Sequence, residues 1–238
     1  MECDFMSRFD WILFDMDDTL VDFVHSARYA FSTMLAQLEI PEAEHYFPLY
    51  HQCNHEAWAA FEEGKIDTAT LRRQRFAQFQ ERAQLRIRHD PSEMNRLFLG
   101  ALVHHSLPVE GAMDLLNFLF GKIKLGIVTN GLREVQRPRI RHVGMEPFFE
   151  VVVVSDEIGL AKPDPKFFSH AYEAMGRPDK NRVLVIGDSL ISDVQGAKNF
   201  NFVACWYNPL GKPNPNGWKP DFEIQSLAEV RDIGDEKA

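Results

Sequence analysis

The sequence predicts an α/β fold: a mostly parallel sheet flanked by helices, with an inserted all-helical domain. Three observations predict it. Short runs of large apolar and β-branched residues at 11–14, 125–128, 151–154 and 183–186 lack polar alternation, so they read as strands buried on both faces. Helical segments separate the later runs, a βαβ rhythm that brings strands into parallel register through right-handed crossovers. Between the first run and residue 108, apolar residues recur only at helical spacing.

Taken in order, residues 1–20 and 108–238 are assigned to the core and 21–107 to the helical cap, which reads as three to five helices. Gly64 and Asp67 mark a break and a restart, and Asp90-Pro91-Ser92-Glu93 combines an N-cap, a proline at the first helical position and an acid three residues on. Inserted just after the first strand, such a segment is expected over the sheet edge as a lid. From Pro108 onward, helices are expected near 111–120, 132–143, 165–175 and 191–200, and a weaker strand at 202–206. Asp164 caps the helix at Pro165, whereas Pro138 falls inside its helix and is expected to kink it. The Pro-, Gly- and Asn-rich stretch 208–220 reads as an irregular surface loop, and Ser226 with Glu229 opens a short terminal helix.

Composition excludes several classes. A chain of 238 residues, 45% hydrophobic, can bury one large core and a smaller inserted one. No stretch approaches the roughly 20 apolar residues that span a bilayer, and the opening residues lack the layout of a signal peptide, so no membrane is involved and the expected compartment is cytoplasmic. A net charge of −9 opposes binding to a nucleic-acid polymer. Cys3, Cys53 and Cys205 are too widely spaced for a disulfide framework or a thiolate zinc site and read as reduced thiols.

The chemistry gathers at predicted strand ends. Asp15, Asp17 and Asp18 follow the first strand, Thr129-Asn130-Gly131 the second, and Gly187-Asp188-Ser189 the fourth, with Asp193 five residues after Asp188. Lys162 lies shortly after the third. Crowded carboxylates raise each other's pKa unless a cation compensates, so the acidic cluster calls for a divalent metal. Asp15 is the natural nucleophile toward phosphorus, and Asp17, on the same side if the strand continues, a general acid and then a base. Magnesium suits Asp15 and Asp188, with Asp193 bracing the site; Thr129, the Asn130 backbone amide and Lys162 would neutralise the phosphoryl oxygens.

In order and spacing, Asp15-Met16-Asp17-Asp18-Thr19, Thr129, Lys162 and the run from Gly187 to Asp193 resemble the four motifs of the haloacid dehalogenase superfamily. The resemblance covers nearly the whole chain. It implies a Rossmann-like core, a magnesium-dependent phosphatase working through Asp15, a backbone-carbonyl metal contact from Asp17, and a helical cap of the family's first class. The dehalogenases lack the second aspartate, present here as Asp17. The phrases Gly126-Ile127-Val128-Thr129-Asn130-Gly131, Val135-Gln136, the run from Ser155 to Pro163, and Cys205-Trp206-Tyr207-Asn208 are similar to the pyrimidine 5′-nucleotidase branch, with the N-acylneuraminate-9-phosphatase branch close behind. The expected partner is a small phosphorylated metabolite, preferably a pyrimidine nucleoside 5′-monophosphate, acted on by a monomer or homodimer. The alternatives are a sugar-phosphate phosphatase, a phosphomutase, and a catalytically silent scaffold on the same fold.

Other features read as structural. His51 and His55 share a helical face without further ligands nearby, Asp18 and Asp22 are outlying acids, and Arg72, Arg73, Arg75, Arg82, Arg86 and Arg88 form a solvated basic face with Phe76 and Phe79 turned inward. Trp58, Phe61, Phe76 and Phe79 read as the helical domain's own core.

Overall fold

The structure, a computed structural model, describes residues 8–41, 43–85, 88–215 and 217–233; Cys3, Arg86 and Asn216, and with them the opening residues read for a signal peptide, lie outside the described residues. Strand β1 (Trp11–Phe14) is followed by helices α1 (Phe23–Gln37), α2 (Ala43–Glu62), α3 (Thr68–Arg82), α4 (Pro91–His104) and α5 (Ala112–Leu119). Then come β2 (Lys124–Thr129), α6 (Gln136–His142), β3 (Val151–Val154), the single turn α7 (Ser155–Ile158), α8 (Pro165–Ala174) and β4 (Val183–Gly187). A wide turn at Leu190–Gln195 leads into α9 (Gly196–Asn199), and β5 (Val203–Tyr207), β6 (Phe222–Ile224) and a 3-10 segment at Leu227–Asp232 complete the order. No helix among the described residues is long and apolar enough to cross a membrane.

Two compact units result: a sheet unit running to Asp22, over Pro108–Arg133 and from Val143 onward, and a helical unit of Phe23–Leu107 with Glu134–His142. In the sheet unit, six strands pair in the order β3-β2-β1-β4-β5-β6. Every pairing is parallel. Chain order reverses direction at β1, so the carboxyl ends of β1 and β4 flank the topological switch point where open α/β sheets bind ligands. Alternation sends Trp11, Leu13, Val183 and Val185 to one face, where they pack with Phe167, Phe168 and Ala171 of α8. Ile12 and Phe14, on the other face, are fully buried.

The sequence gives no sign of β6. It is three residues long and follows a Pro- and Asn-rich loop, too short for a pattern; its pairing with Cys205, Trp206 and Tyr207 defines it. The expected helix at 191–200 instead opens as a π-type turn, with the Val194 N–H reaching back to the Ser189 carbonyl at 3.1 Å.

The helical unit packs around aromatic rings. Tyr50 of α2 stacks on Phe31 of α1 at 4.6 Å and on Phe76 of α3 at 5.3 Å, and lies 5.2 Å from Phe98 of α4. Asp67 and Asp90 cap α3 and α4 by accepting from Thr70 and Ser92. The basic run is not one solvated face. Arg75 is buried, donating to Asn54 at 2.8 Å and Asn95 at 2.6 Å, because three helices leave no route from its Cα to water. Arg72 pairs with both Glu134 oxygens and Arg82 with Glu56. Residues 134–142, expected in the core, belong to this unit because Arg139 is fully buried there, donating to Ser106 and Gln136 at 2.9 Å. α6 starts at Gln136, so Pro138 occupies its first turn, where the missing N–H breaks no helical bond; the first such bond is Arg139 N–H to Val135. The expected kink has no bond to act on.

Candidate active site

The site begins where β1 ends. The Asp15 N–H still bonds the Ile186 carbonyl of β4, but the chain then leaves the sheet. Leu20 and Val21 N–H groups both close onto the Met16 carbonyl, and Asp18, at φ +59°, donates to Val21. The expected alternation therefore does not carry Asp17 to the side of Asp15, since the strand stops at Phe14; this tight loop sets the half-buried Asp17 instead.

Asp15, at the end of β1, converges with Asp188 and Asp193, from the stretch after β4, with one oxygen of each within 4.8 Å of the others. Lys162 Nζ joins them, 2.6 Å from Asp15 Oδ1 and 2.6 Å from Asp193 Oδ1. The Asp193 Oδ2 accepts the Ser189 N–H at 3.1 Å, so both its oxygens are engaged. That geometry requires glycine at 187, because a Cβ there would sit 2.2 Å from the Asp193 carboxylate. Carboxylate oxygens are hard donors, and those of Asp15 and Asp188 could hold a magnesium-sized cation beside the engaged Asp193.

Charge balance points the same way. Burial pushes the Asp15 carboxyl well above the usual carboxylate range; Lys162 opposes this, while Asp193 and Asp188 add to it. Burial also drives Asp188 up to about 7, reinforced by Asp193 and Asp18 and opposed by Lys212 and Lys162. Burial alone would lower the Lys162 ammonium, but Asp15 and Asp193 outweigh it and hold that group above the ordinary lysine range. Three carboxylates around one ammonium leave an excess of negative charge that a divalent cation would neutralise.

Thr129 is fully buried at the end of β2, paired in register with Val154. Asn130 contributes a contact that sequence reasoning missed. Its side-chain oxygen accepts the Lys162 N–H at 2.8 Å and its amide donates to the Lys162 carbonyl at 2.9 Å, so it grips the peptide of the site lysine. Two further anchors were also missed: Ser155 Oγ bonds both polar backbone atoms of Gly131, and Trp206 Nε1 donates to the Asp188 carbonyl at 3.0 Å. Ser155 and Trp206 lie within the runs that carry the resemblance, but nothing in a linear sequence pairs them with residues so distant. His51 and His55 join no metal-ligand cluster among the described residues.

Residues 9–201 match the haloacid dehalogenase-like hydrolase family. The chain belongs to this family. It is 33% identical over 95% of its length to the pyrimidine 5′-nucleotidase YjjG of Escherichia coli strain K12, covering 98% of that protein. It is 29% identical, with 95% of each covered, to the pyrimidine 5′-nucleotidase PynA of Streptococcus pneumoniae strain R6. The crystal structure of the haloacid dehalogenase-type hydrolase YfnB of Bacillus subtilis, bound to magnesium, superposes with a TM-score of 0.88 at 31% identity, covering 95% of this chain and 98% of that one. The hydrolase family, the relatives with nucleotidase names and the fold agree with the resemblance carried by the four motifs.

Proposed function

We propose that this hydrolase is a magnesium-dependent phosphomonoesterase that works through an aspartyl-phosphate on Asp15, with a pyrimidine nucleoside 5′-monophosphate as substrate. The observation that carries the reaction type is the convergence of Asp15, Lys162, Asp188 and Asp193 at the switch point of the sheet. Nucleotide preference rests on the names of YjjG and PynA.

Asp15 attacks phosphorus as its bond to the ester oxygen breaks, and Asp17 gives that oxygen a proton. Asp17 then takes a proton from water, which attacks the aspartyl-phosphate, releases inorganic phosphate and restores Asp15. Lys162, Thr129 and the Asn130 backbone N–H balance the phosphoryl oxygens. Asp15, the Asp17 carbonyl and Asp188 would hold magnesium, which supplies the positive charge that lets an anionic nucleophile approach an anionic ester. Asp193, with both oxygens occupied, braces Lys162 and the β4 loop. The helical unit acts as the family's cap, and the enzyme works in the cytoplasm.

The test is phosphate release, with magnesium, from pyrimidine and purine 5′-monophosphates, sugar phosphates and N-acylneuraminate 9-phosphate, with Asp15→Asn as the blank. Preference for UMP, dUMP or dTMP supports the full reading. Preference for a sugar phosphate keeps the mechanism and replaces the substrate; release by Asp15→Asn at the parent rate removes the nucleophile.

A further inference from the structure

The irregular stretch after β5 carries a second lysine at the same sheet edge. Asn208, which immediately follows β5, is buried, and its side chain is spent on one peptide: Oδ1 accepts the Lys212 N–H at 2.8 Å and Nδ2 donates to the Lys212 carbonyl at 3.0 Å. Glu223 of β6 takes the other Nδ2 proton at 2.8 Å, which fixes the orientation of the amide. The arrangement repeats the one at the centre of the site, where Asn130, just after β2, grips both polar backbone atoms of Lys162. In both places an asparagine leaving the carboxyl end of a strand sets the main chain of a lysine. A buried asparagine used this way makes a Pro- and Gly-rich loop ordered at one residue.

Lys212 is exposed, unlike Lys162, and its ammonium has no ion-pair partner among the described residues. The loop that carries it leaves β5 beside β4, whose end carries Asp188, and Trp206 of β5 bonds the Asp188 carbonyl. Gly187 pairs with Trp206, two residues before Asn208, so the clamp that holds the Lys212 main chain stands beside the end of β4 that carries Asp188. Asp15, Asp17, Asp18, Asp188 and Asp193 make this edge repulsive to any anion that arrives from solvent. A cation at its rim, held in place by a buried clamp, lowers that barrier.

We infer that Lys212 is a substrate-attracting residue, a rim cation that draws the phosphate dianion toward the acidic edge of the sheet, positioned by Asn208. This rests on the phosphomonoesterase reading. Lys162 neutralises charge within the site, whereas Lys212 acts on the approach and on ground-state binding, so its removal changes KM more than kcat.

The experiment compares Lys212→Gln, which keeps length and loses charge, with Lys212→Arg, which keeps charge. At low salt, Lys212→Gln is expected to lower kcat/KM for p-nitrophenyl phosphate about tenfold with kcat within about twofold, and the deficit should shrink toward the parent as added salt screens the charge. Lys212→Arg should recover most of the loss. Inorganic phosphate, bound without turnover and read by calorimetry, should bind about tenfold more weakly to Lys212→Gln. Unchanged kcat/KM and phosphate affinity, a deficit insensitive to salt, or an equal fall in kcat would overturn the inference. If the parent releases no phosphate beyond the Asp15→Asn blank, the hydrolytic reading fails, and the calorimetric comparison still decides the role of Lys212.

Discussion

Lys162 in the sheet unit and Arg75 in the helical unit are both buried cations, and they are satisfied in opposite ways. Lys162 meets two carboxylates at 2.6 Å, and their charges hold its ammonium above the ordinary lysine range. Arg75 meets two neutral side-chain carbonyls, from Asn54 and Asn95, with its guanidinium 5.0 Å from the Phe76 ring and 5.3 Å from the Phe98 ring; burial lowers its pKa. Neutral acceptors hold a cation without offering it an anionic partner, which suits a pin between helices. Carboxylates in excess of the cation create a field that a metal and a phosphoryl group can complete. Burial alone therefore does not mark a charged residue as functional; the charge around it does.

The largest effect that could break this comparison comes from Lys162→Met. It should lower kcat by about 10³-fold or more, through the lost charge on the phosphoryl oxygens. It should also cost about 3–5 kcal/mol of stability in the metal-free protein by leaving Asp15 and Asp193 without their partner, read by denaturant unfolding. A variant that loses stability but keeps kcat within about tenfold would make Lys162 a pin of the Arg75 kind.

Arg75→Met should cost less, roughly 1–3 kcal/mol, because the carbonyls it abandons are neutral. Phosphate release should stay within about twofold of the parent. A deeper loss of turnover at unchanged stability would place Arg75 in the reaction and end the contrast.

The smallest effect is a pH dependence confined to the sheet unit. Asp188 sits at about 7 against an ordinary 3.8, so the folded metal-free protein holds a proton that the unfolded chain has released. Its contribution is complete below the ordinary value and is lost as pH rises through about 7. Magnesium needs the ionised carboxylate, so the rise in Tm that it produces should be larger at about pH 8 than at about pH 5.5. A magnesium effect independent of pH would remove Asp188 from the metal set. Arg75→Met should leave this dependence unchanged, which sharpens the separation between the units.

The four strands with β-branched or large apolar runs were legible because a parallel strand buried on both faces has to be apolar throughout, and the helix caps at Asp67, Asp90 and Asp164 were legible because their chemistry is local. β6 was not, since three residues make no pattern and its order comes from β5. The acids of the site were visible as residue types at strand ends. Their supports were hidden: Asn130 on Lys162 spans 32 positions and Trp206 on Asp188 spans 18. The basic helix misled in the same way, because whether Arg75 meets water depends on helices that bring Asn54 and Asn95 to it.

By itself the sequence determined the fold class and which acids and bases stand at the strand ends, since apolar runs, capping residues and residue types are properties of neighbours along the chain. Tertiary structure alone decided that Asp193 is fully engaged, that Asn130 and Asn208 each grip a lysine, that residues 134–142 join the helical unit, and that Arg75 is an uncharged-partner pin. Those are outcomes of long-range packing, where hydrogen-bond partners and burial are set by whichever distant segments the fold brings within about 3 Å.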